Sequence, residues 1–355
     1  MRPGAGGMRR WMLTLAGAGV LAGAVLVARG QGSLPVEGTG AGFEGASGWL
    51  NSAPLKAADL KGKVVLVDFW TYSCINCLRT MPYIRAWAEK YRTQGLVVVG
   101  VHTPEFRFEQ SQANVQTAVQ RLRIDFPVAL DSSQAIWQAW GNRFWPAYYL
   151  LDGNGKIRYH QYGEGDYDRT EAAIQRLLAE AHGTAPTDHS LVRPEAKAEQ
   201  SAPDLARLGS DETYLGYGKA ERFHSPQPLR PDQPQRYSVS TLRLNQWGLA
   251  GNWLAGEEKI VAQEAGASIA YQFSARDLHL VLGPGAAGRP LRIQLTLDGE
   301  PPGADHGSDI DAAGMGLVDA TRLYQLVRQG TRVGPRRCVI RFLDAGAEAY
   351  AFTFG

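Results

Sequence analysis

The sequence predicts an α/β domain built on a mixed sheet, followed by an all-β domain of the jelly-roll or sandwich type. Three observations carry this reading. Between residues 64 and 182, apolar runs of strand length alternate with segments of helical periodicity, and the series ends in a hairpin and a helix. A Cys-x-x-Cys pair, Cys74 and Cys77, stands where the first of those strands hands over to a helix. Beyond Ser210 the helical patterns stop, and short alternating strands follow one another at even spacing.

The elements follow in order. Arg2, Arg9 and Arg10 precede an apolar, small-residue run from Trp11 to Ala28. A charged start before an apolar stretch is the pattern of export, so residues 1–30 are expected to be a signal peptide or an N-terminal anchor. Residues 31–48 are expected to be flexible, because Gly and Ser dominate them. The α/β domain is expected over 49–182: strand 64–69, helix 74–92, strand 96–102, helix 110–122, short strand 127–130 and short helix 133–140, with Asp131 or Ser132 as its cap. Strands 147–151 and 156–162 flank Asp152-Gly153-Asn154-Gly155 as a hairpin, and 169–182 is the closing helix. Pro82 should kink the first helix, whose buried face is marked by Ile84, Trp87, Ala88 and Tyr91.

A linker is expected over 183–210, where Pro186, Pro194 and Pro203 interrupt a polar, aperiodic stretch. The β domain, 211–355, is read as strands at 237–245, 248–254, 259–263, 268–273, 278–282, 291–298, 322–327, 337–343 and 349–354. Leu291, Ile293, Leu295 and Leu297 alternate with polar partners, as Tyr350, Phe352 and Phe354 do with theirs.

The chemistry gathers at the cysteines. At a helix N-terminus, unpaired N–H groups and the helix dipole favour a Cys74 thiolate, which is the attacking species in thiol–disulfide exchange. Cys77, nearly one turn on, can resolve a mixed disulfide by closing the Cys74–Cys77 bridge. Asp68 interrupts an otherwise apolar strand, so burial should raise its proton affinity and suit it to exchange a proton with Cys77. A zinc site would need two further Cys or His ligands nearby, but the chain has only three cysteines and Cys338 is distant in sequence. A purely structural bridge across so short a loop would constrain little of the unfolded chain.

On Asp68, Trp70, Cys74, Cys77 and Pro82 the segment 55–182 resembles thioredoxin-fold domains, more narrowly the extracytoplasmic TlpA/ResA-type thiol–disulfide oxidoreductases. The resemblance implies that Pro146 is the family's cis-proline and that the Trp145 backbone beside it presents a substrate segment in β fashion. It further implies that Glu105 occupies the place of a glutamate that follows the second long strand and helps set protonation near the cysteines. Thr71-x-x-Cys74 also matches part of the peroxiredoxin motif, but Cys77 would capture an oxidised Cys74 and no proline shapes the pocket.

The second half resembles the region that follows the thioredoxin-like domain in DipZ-type cytochrome c biogenesis proteins. Glu212-Thr213-Tyr214-Leu215-Gly216-Tyr217-Gly218 and Ala349-Tyr350-Ala351-Phe352-Thr353-Phe354 carry that likeness. It implies a jelly roll similar to carbohydrate-binding modules. Trp247, Trp253, Tyr214, Tyr217 and Tyr271 are then the residues from which a sugar-stacking platform could be built, although aromatics in a sandwich are more often core. The run from Asp305 to Asp311 concentrates oxygen atoms on a loop and reads as a solvated acidic loop rather than a calcium site. Cys338 shares a strand face with Ile340 and Phe342 and reads as an inert buried thiol.

The net charge of +2 gives no electrostatic case for nucleic acid, and no serine sits in a nucleophile elbow. The expected function is that of an exported protein-disulfide oxidoreductase, periplasmic or otherwise extracytoplasmic, soluble or tethered, working without cofactor or metal. What the resemblance implies about partners is protein disulfides, apocytochrome c among them, and a membrane electron donor of the CcdA or DsbD type. The Ile75-Asn76 pair lacks the histidine of strongly oxidising pairs, which favours reduction. The alternatives are a thiol oxidant or isomerase, a thiol peroxidase, or a glycan- or wall-binding adaptor with a vestigial redox domain.

Overall fold

The computed structural model describes residues 33–183, 189–286, 288–330 and 332–355. The expected signal or anchor over residues 1–30 lies outside them. Among the described residues no helix is long and apolar enough to cross a membrane.

The α/β domain is built from β1 (Gly38–Thr39), β2 (Gly48–Leu50), β3 (Val64–Trp70), α1 (Ile75–Tyr91), β4 (Leu96–His102), α2 (Gln112–Arg121), β5 (Val128–Leu130), α3 (Ala135–Ala139), β6 (Ala147–Leu151), β7 (Lys156–Tyr162) and α4 (Tyr167–His182). Seven strands form one sheet in the order β1-β7-β6-β3-β4-β5-β2. β3, β4 and β5 run parallel, while β6, β7, β1 and β2 pair antiparallel. Every residue of β3 is buried, because helices cover both faces of a parallel centre. Val64 and Leu66 join the core under α1, α2 and α4, whereas Val65, Val67 and Phe69 face Ile136 of α3. Ile84, Trp87, Ala88 and Tyr91 form the buried stripe of α1 as expected.

The expectation of a flexible 31–48 fails over its described part. Glu37–Gly40 hydrogen bonds along β7 through β1, and Gly48 begins β2 on the opposite sheet edge. Two- and three-residue strands are too short to show alternation, and in a glycine-rich stretch they leave no pattern to read. The N-cap of α3 is Gln134 rather than Asp131 or Ser132, because the helix starts only at Ala135; the Asp131 carboxylate still accepts the N–H groups of Ile136 and Trp137 in its first turn, both at 2.8 Å.

The β domain contains β8 (Thr213–Tyr214), β9 (Pro234–Tyr237), β10 (Trp247–Ala255), β11 (Ile260–Ala262), β12 (Ser268–Ser274), β13 (Asp277–Gly283), β14 (Leu291–Leu297), β15 (Met315–Val318), β16 (Arg322–Arg328), β17 (Pro335–Phe342) and β18 (Glu348–Phe354). Pairing between these strands is antiparallel throughout. The sheet curls at β10, whose first half pairs with β12 and whose second half pairs with β9 and β11. Gly251 stands at that change of partner with φ +89, a conformation that favours glycine. The curl brings Trp253 to within 5.4 Å of Phe342 and Tyr271 to within 4.9 Å of Phe352, ring centre to ring centre. An aromatic core thus fills the space between the two halves.

The stretch that joins the domains is fastened at both ends. The Val192 N–H donates to Glu171 of α4 at 2.8 Å, and the Gly209 N–H donates to the Ser274 carbonyl at 2.8 Å. The domains also share a core: Val281, Leu323, Tyr350 and Ala351 belong to the same buried cluster as Cys77, Leu78 and Trp87.

Candidate functional site

β3 ends and α1 begins across four residues, Thr71 to Cys74, and the site is built there. Cys74 is the N-cap of α1, in extended conformation, and its Sγ accepts the Cys77 N–H at 3.3 Å. The sulfur thus takes the place of the usual capping oxygen at a helix N-terminus. Cys74 is half-buried, and Cys77 is buried. Burial, then the hydrogen bond and charge of Cys74, hold the Cys77 thiol well above the ordinary thiol range, and Asp68 adds to the effect. The inner sulfur therefore stays protonated until something takes its proton.

Asp68 sits in β3 opposite Gly100 of β4 and Tyr148 of β6, and is 1% exposed. Its Oδ1 has no hydrogen-bond partner. Burial pushes its carboxyl up to about 8. A carboxyl that titrates near neutral pH is ionised in part, and in that form, electrostatically coupled to a protonated thiol, it can accept that thiol's proton and return it.

The walls of the site come from β4 and the loops around it. His102 is buried, its Nε2 is 3.3 Å from Thr71 Oγ1, and its ring stacks on Tyr72 at 5.6 Å. Burial lowers its pKa to about 3, so the imidazole is neutral. Among the described residues no three His, Cys, Asp or Glu side chains gather as a metal would require.

The Trp145–Pro146 peptide bond is cis. Pro146 enters β6, whose Ala147 pairs with Phe69 near the end of β3, so the topology brings it to the end of the sheet where the cysteine loop starts. Trp145 is half-buried; its indole N–H donates to the Thr103 carbonyl at 3.1 Å, and its ring lies 4.2 Å from that of Trp137.

Trp70, one of the matched motif residues, is 0% exposed and edge-on to His102, so it supports the site from the core. One sequence reading of the site is corrected. Glu105 does not turn toward the cysteines: it accepts the Tyr214 hydroxyl and lies 3.9 Å from Lys219, drawn outward by the β domain. The carboxylate that reaches the cysteine loop is Glu109, which accepts the Ser73 hydroxyl at 2.6 Å. Burial pushes it up to about 7. Sequence reasoning missed it because two carboxylates four apart in one loop look alike until the fold selects one. In the β domain Trp247, Trp253 and Tyr271 are each 0% exposed and form the core, the commoner of the two outcomes for aromatics in a sandwich.

In the 305–311 loop each acid has its own partners. Asp305 accepts the Gly330 N–H, Asp309 pairs with Arg322, and Asp311 accepts the Met315 N–H. Cys338 is buried between strands, as read.

Residues 48–178 match the family described as Redoxin, and residues 210–355 match the one described as Thioredoxin like C-terminal domain. The protein DipZ of Mycobacterium bovis is 32% identical over 335 residues, 92% of this chain and 44% of that relative. The chain thus spans less than half the length of that relative. The thiol-disulfide oxidoreductase YkuV of Bacillus subtilis is 32% identical over 136 residues, 38% of this chain and 91% of the relative. A solution structure of a thioredoxin-like protein in the oxidised form aligns with TM-score 0.36 and 32% identity, over 38% of this chain and 91% of that one. With its capped Cys74, buried Cys77 and buried Asp68, the chain belongs to the redoxin family of thioredoxin-like thiol–disulfide oxidoreductases.

Proposed function

We propose that this chain is an exported protein-disulfide reductase of the kind that serves cytochrome c maturation. The observation that carries the reading is the Cys74 Sγ capping α1 at 3.3 Å from the Cys77 N–H, with the buried Asp68 coupled to Cys77. Export rests on the charged start and apolar run of residues 1–30.

In the proposed reaction the Cys74 thiolate attacks one sulfur of a substrate disulfide. A bond forms between Cys74 and that sulfur, the substrate S–S bond breaks, and the second substrate sulfur leaves as a thiolate that takes a proton from water. Cys77 then gives its proton to the Asp68 carboxylate and attacks Cys74 Sγ. The Cys74–Cys77 bond forms, the mixed disulfide breaks, and the departing sulfur takes the proton back from Asp68. The substrate gains two electrons and two protons. The chain ends oxidised and needs a dithiol donor, for which a membrane protein of the CcdA or DsbD type is proposed. Pro146 and Trp145 are proposed to hold an extended substrate segment across the attacking sulfur.

The test is covalent trapping. Full-length Cys77→Ser, offered a disulfide-bonded peptide, should accumulate a mixed disulfide at Cys74, read by mass. Cys74→Ser should accumulate none. Trapping at Cys338, or none anywhere, would contradict the assignment.

A further inference from the structure

Between β4 and α2 the chain makes one short helical turn, Arg107–Gln110. Glu109 on that turn is 1% exposed, and its carboxylate gathers four donors from two stretches of chain. Oε1 accepts the Ser73 N–H at 3.3 Å and the Ser73 hydroxyl at 2.6 Å. Oε2 accepts the N–H groups of Glu105 at 2.7 Å and Phe106 at 3.0 Å. One oxygen thus serves the residue before Cys74 and the other serves the two residues that lead into the turn. Only a carboxylate offers two acceptor oxygens and no donor; a glutamine would set its NH₂ against one of these pairs.

The turn is held from outside by the β domain. The Tyr214 hydroxyl donates to Glu105, and Arg107 pairs with Glu257 at 2.7 Å. The rings of Phe106 and Phe108 lie 5.4 and 4.7 Å from that of Tyr350, and Phe108 lies 5.9 Å from Tyr72. A continuous set of contacts therefore runs from β18 through the turn to the cysteine loop.

We propose that Glu109 is a positioning residue for the Cys74–Cys77 dithiol, fixing Ser73 so that Cys74 Sγ faces the Cys77 N–H, and that the β domain acts on the dithiol by holding Glu109 in place. The proposal rests on the oxidoreductase reading. Its physical basis is that thiolate stabilisation at a helix N-terminus is confined to the first turn and depends on hydrogen-bond angle, so a loosened Ser73 weakens it. Glu105 and the Tyr72 phenol are the titratable groups coupled to Glu109, beside the hydroxyls of Ser73 and Thr71.

The test compares full-length Glu109→Gln, Ser73→Ala and Tyr91→Phe with the parent. Tyr91→Phe removes a buried hydroxyl–carboxylate bond of 2.6 Å, to Glu171, as a stability control away from the cysteine loop. The readouts are the pH–rate profile of Cys74 alkylation, followed by peptide mass, and the thermal midpoint. Glu109→Gln is expected to move the profile to higher pH and slow alkylation at pH 7 roughly three- to tenfold. Ser73→Ala should move it in the same direction by less, and carries the test if Glu109→Gln does not fold. Tyr91→Phe should lower the thermal midpoint and leave the profile in place. The proposal is overturned if the folded variants lose thermal stability while their profiles superpose on the parent's. A parent that gives no exchange with a disulfide substrate overturns the oxidoreductase reading, and this one with it.

Discussion

Arg79, two residues beyond Cys77 on α1, donates a guanidinium N–H to the carbonyl of Phe354 on β18 at 3.3 Å. The same guanidinium meets Glu164 at 3.0 Å, and its side chain is 3% exposed. A Cβ at Gly355 would lie 1.7 Å from Arg79 Nη2, so a larger residue there would displace the guanidinium. The helix that carries the cysteines is therefore tied to the last strand of the β domain by a buried charge.

Arg79→Ala should destabilise the protein by about 3 kcal/mol, because it strands the largely buried Glu164 carboxylate and the Phe354 carbonyl. It also removes a tie between the domains. Calorimetry should show a lower midpoint and a transition broadened toward two steps. An unchanged single transition would remove Arg79 from the account of the junction.

Asp68 makes stability depend on pH in a defined direction. Its carboxyl is raised from 3.8 to about 8 by burial. The native state therefore binds the proton more tightly than the unfolded state does. Asp68 costs nothing by this linkage below the unfolded value, and stability is lost as pH rises toward the folded one. At pH 7 the loss is about 4 kcal/mol. Asp68→Asn should thus be more stable than the parent by an amount that grows from pH 4 to pH 8 and then levels off, while exchange slows because Cys77 loses its proton acceptor. Urea unfolding at three pH values checks the first part; a pH-independent difference would count against it.

The elements legible in the sequence are those whose burial is one-sided or complete. β14 alternates buried Leu291, Ile293, Leu295 and Leu297 with more exposed partners, and the hairpin of β6 and β7 falls where Asp152–Gly155 placed it. The cysteine pair was legible because strand, cap and helix are all local. Whether Glu105 or Glu109 turns inward was not, since Tyr214, more than a hundred residues further on, draws Glu105 out. For Trp247, Trp253 and Tyr271 the sequence favours core over platform, and the curl at β10 buries them.

Gly216 marks where β8 leads into the junction. A Cβ there would lie 2.2 Å from the Glu258 carbonyl carbon and 2.4 Å from the Glu257 oxygen, both backbone atoms. Gly216→Ala should cost about 1–3 kcal/mol through forced backbone movement. Gly334→Ala, with open space around it, should be nearly neutral. Denaturant midpoints of the two variants make the comparison; equal midpoints would contradict the close approach.

The central claim is that Cys74 and Cys77 work as one reducing couple. The full-length chain, equilibrated against glutathione buffers, quenched by alkylation and read by peptide mass, measures this directly. A single two-electron transition at the pair, at or below about −250 mV and without Cys338, is the predicted result. A midpoint near about −120 mV would make the protein an oxidant, and the absence of a two-electron transition at the pair would contradict the enzyme reading itself.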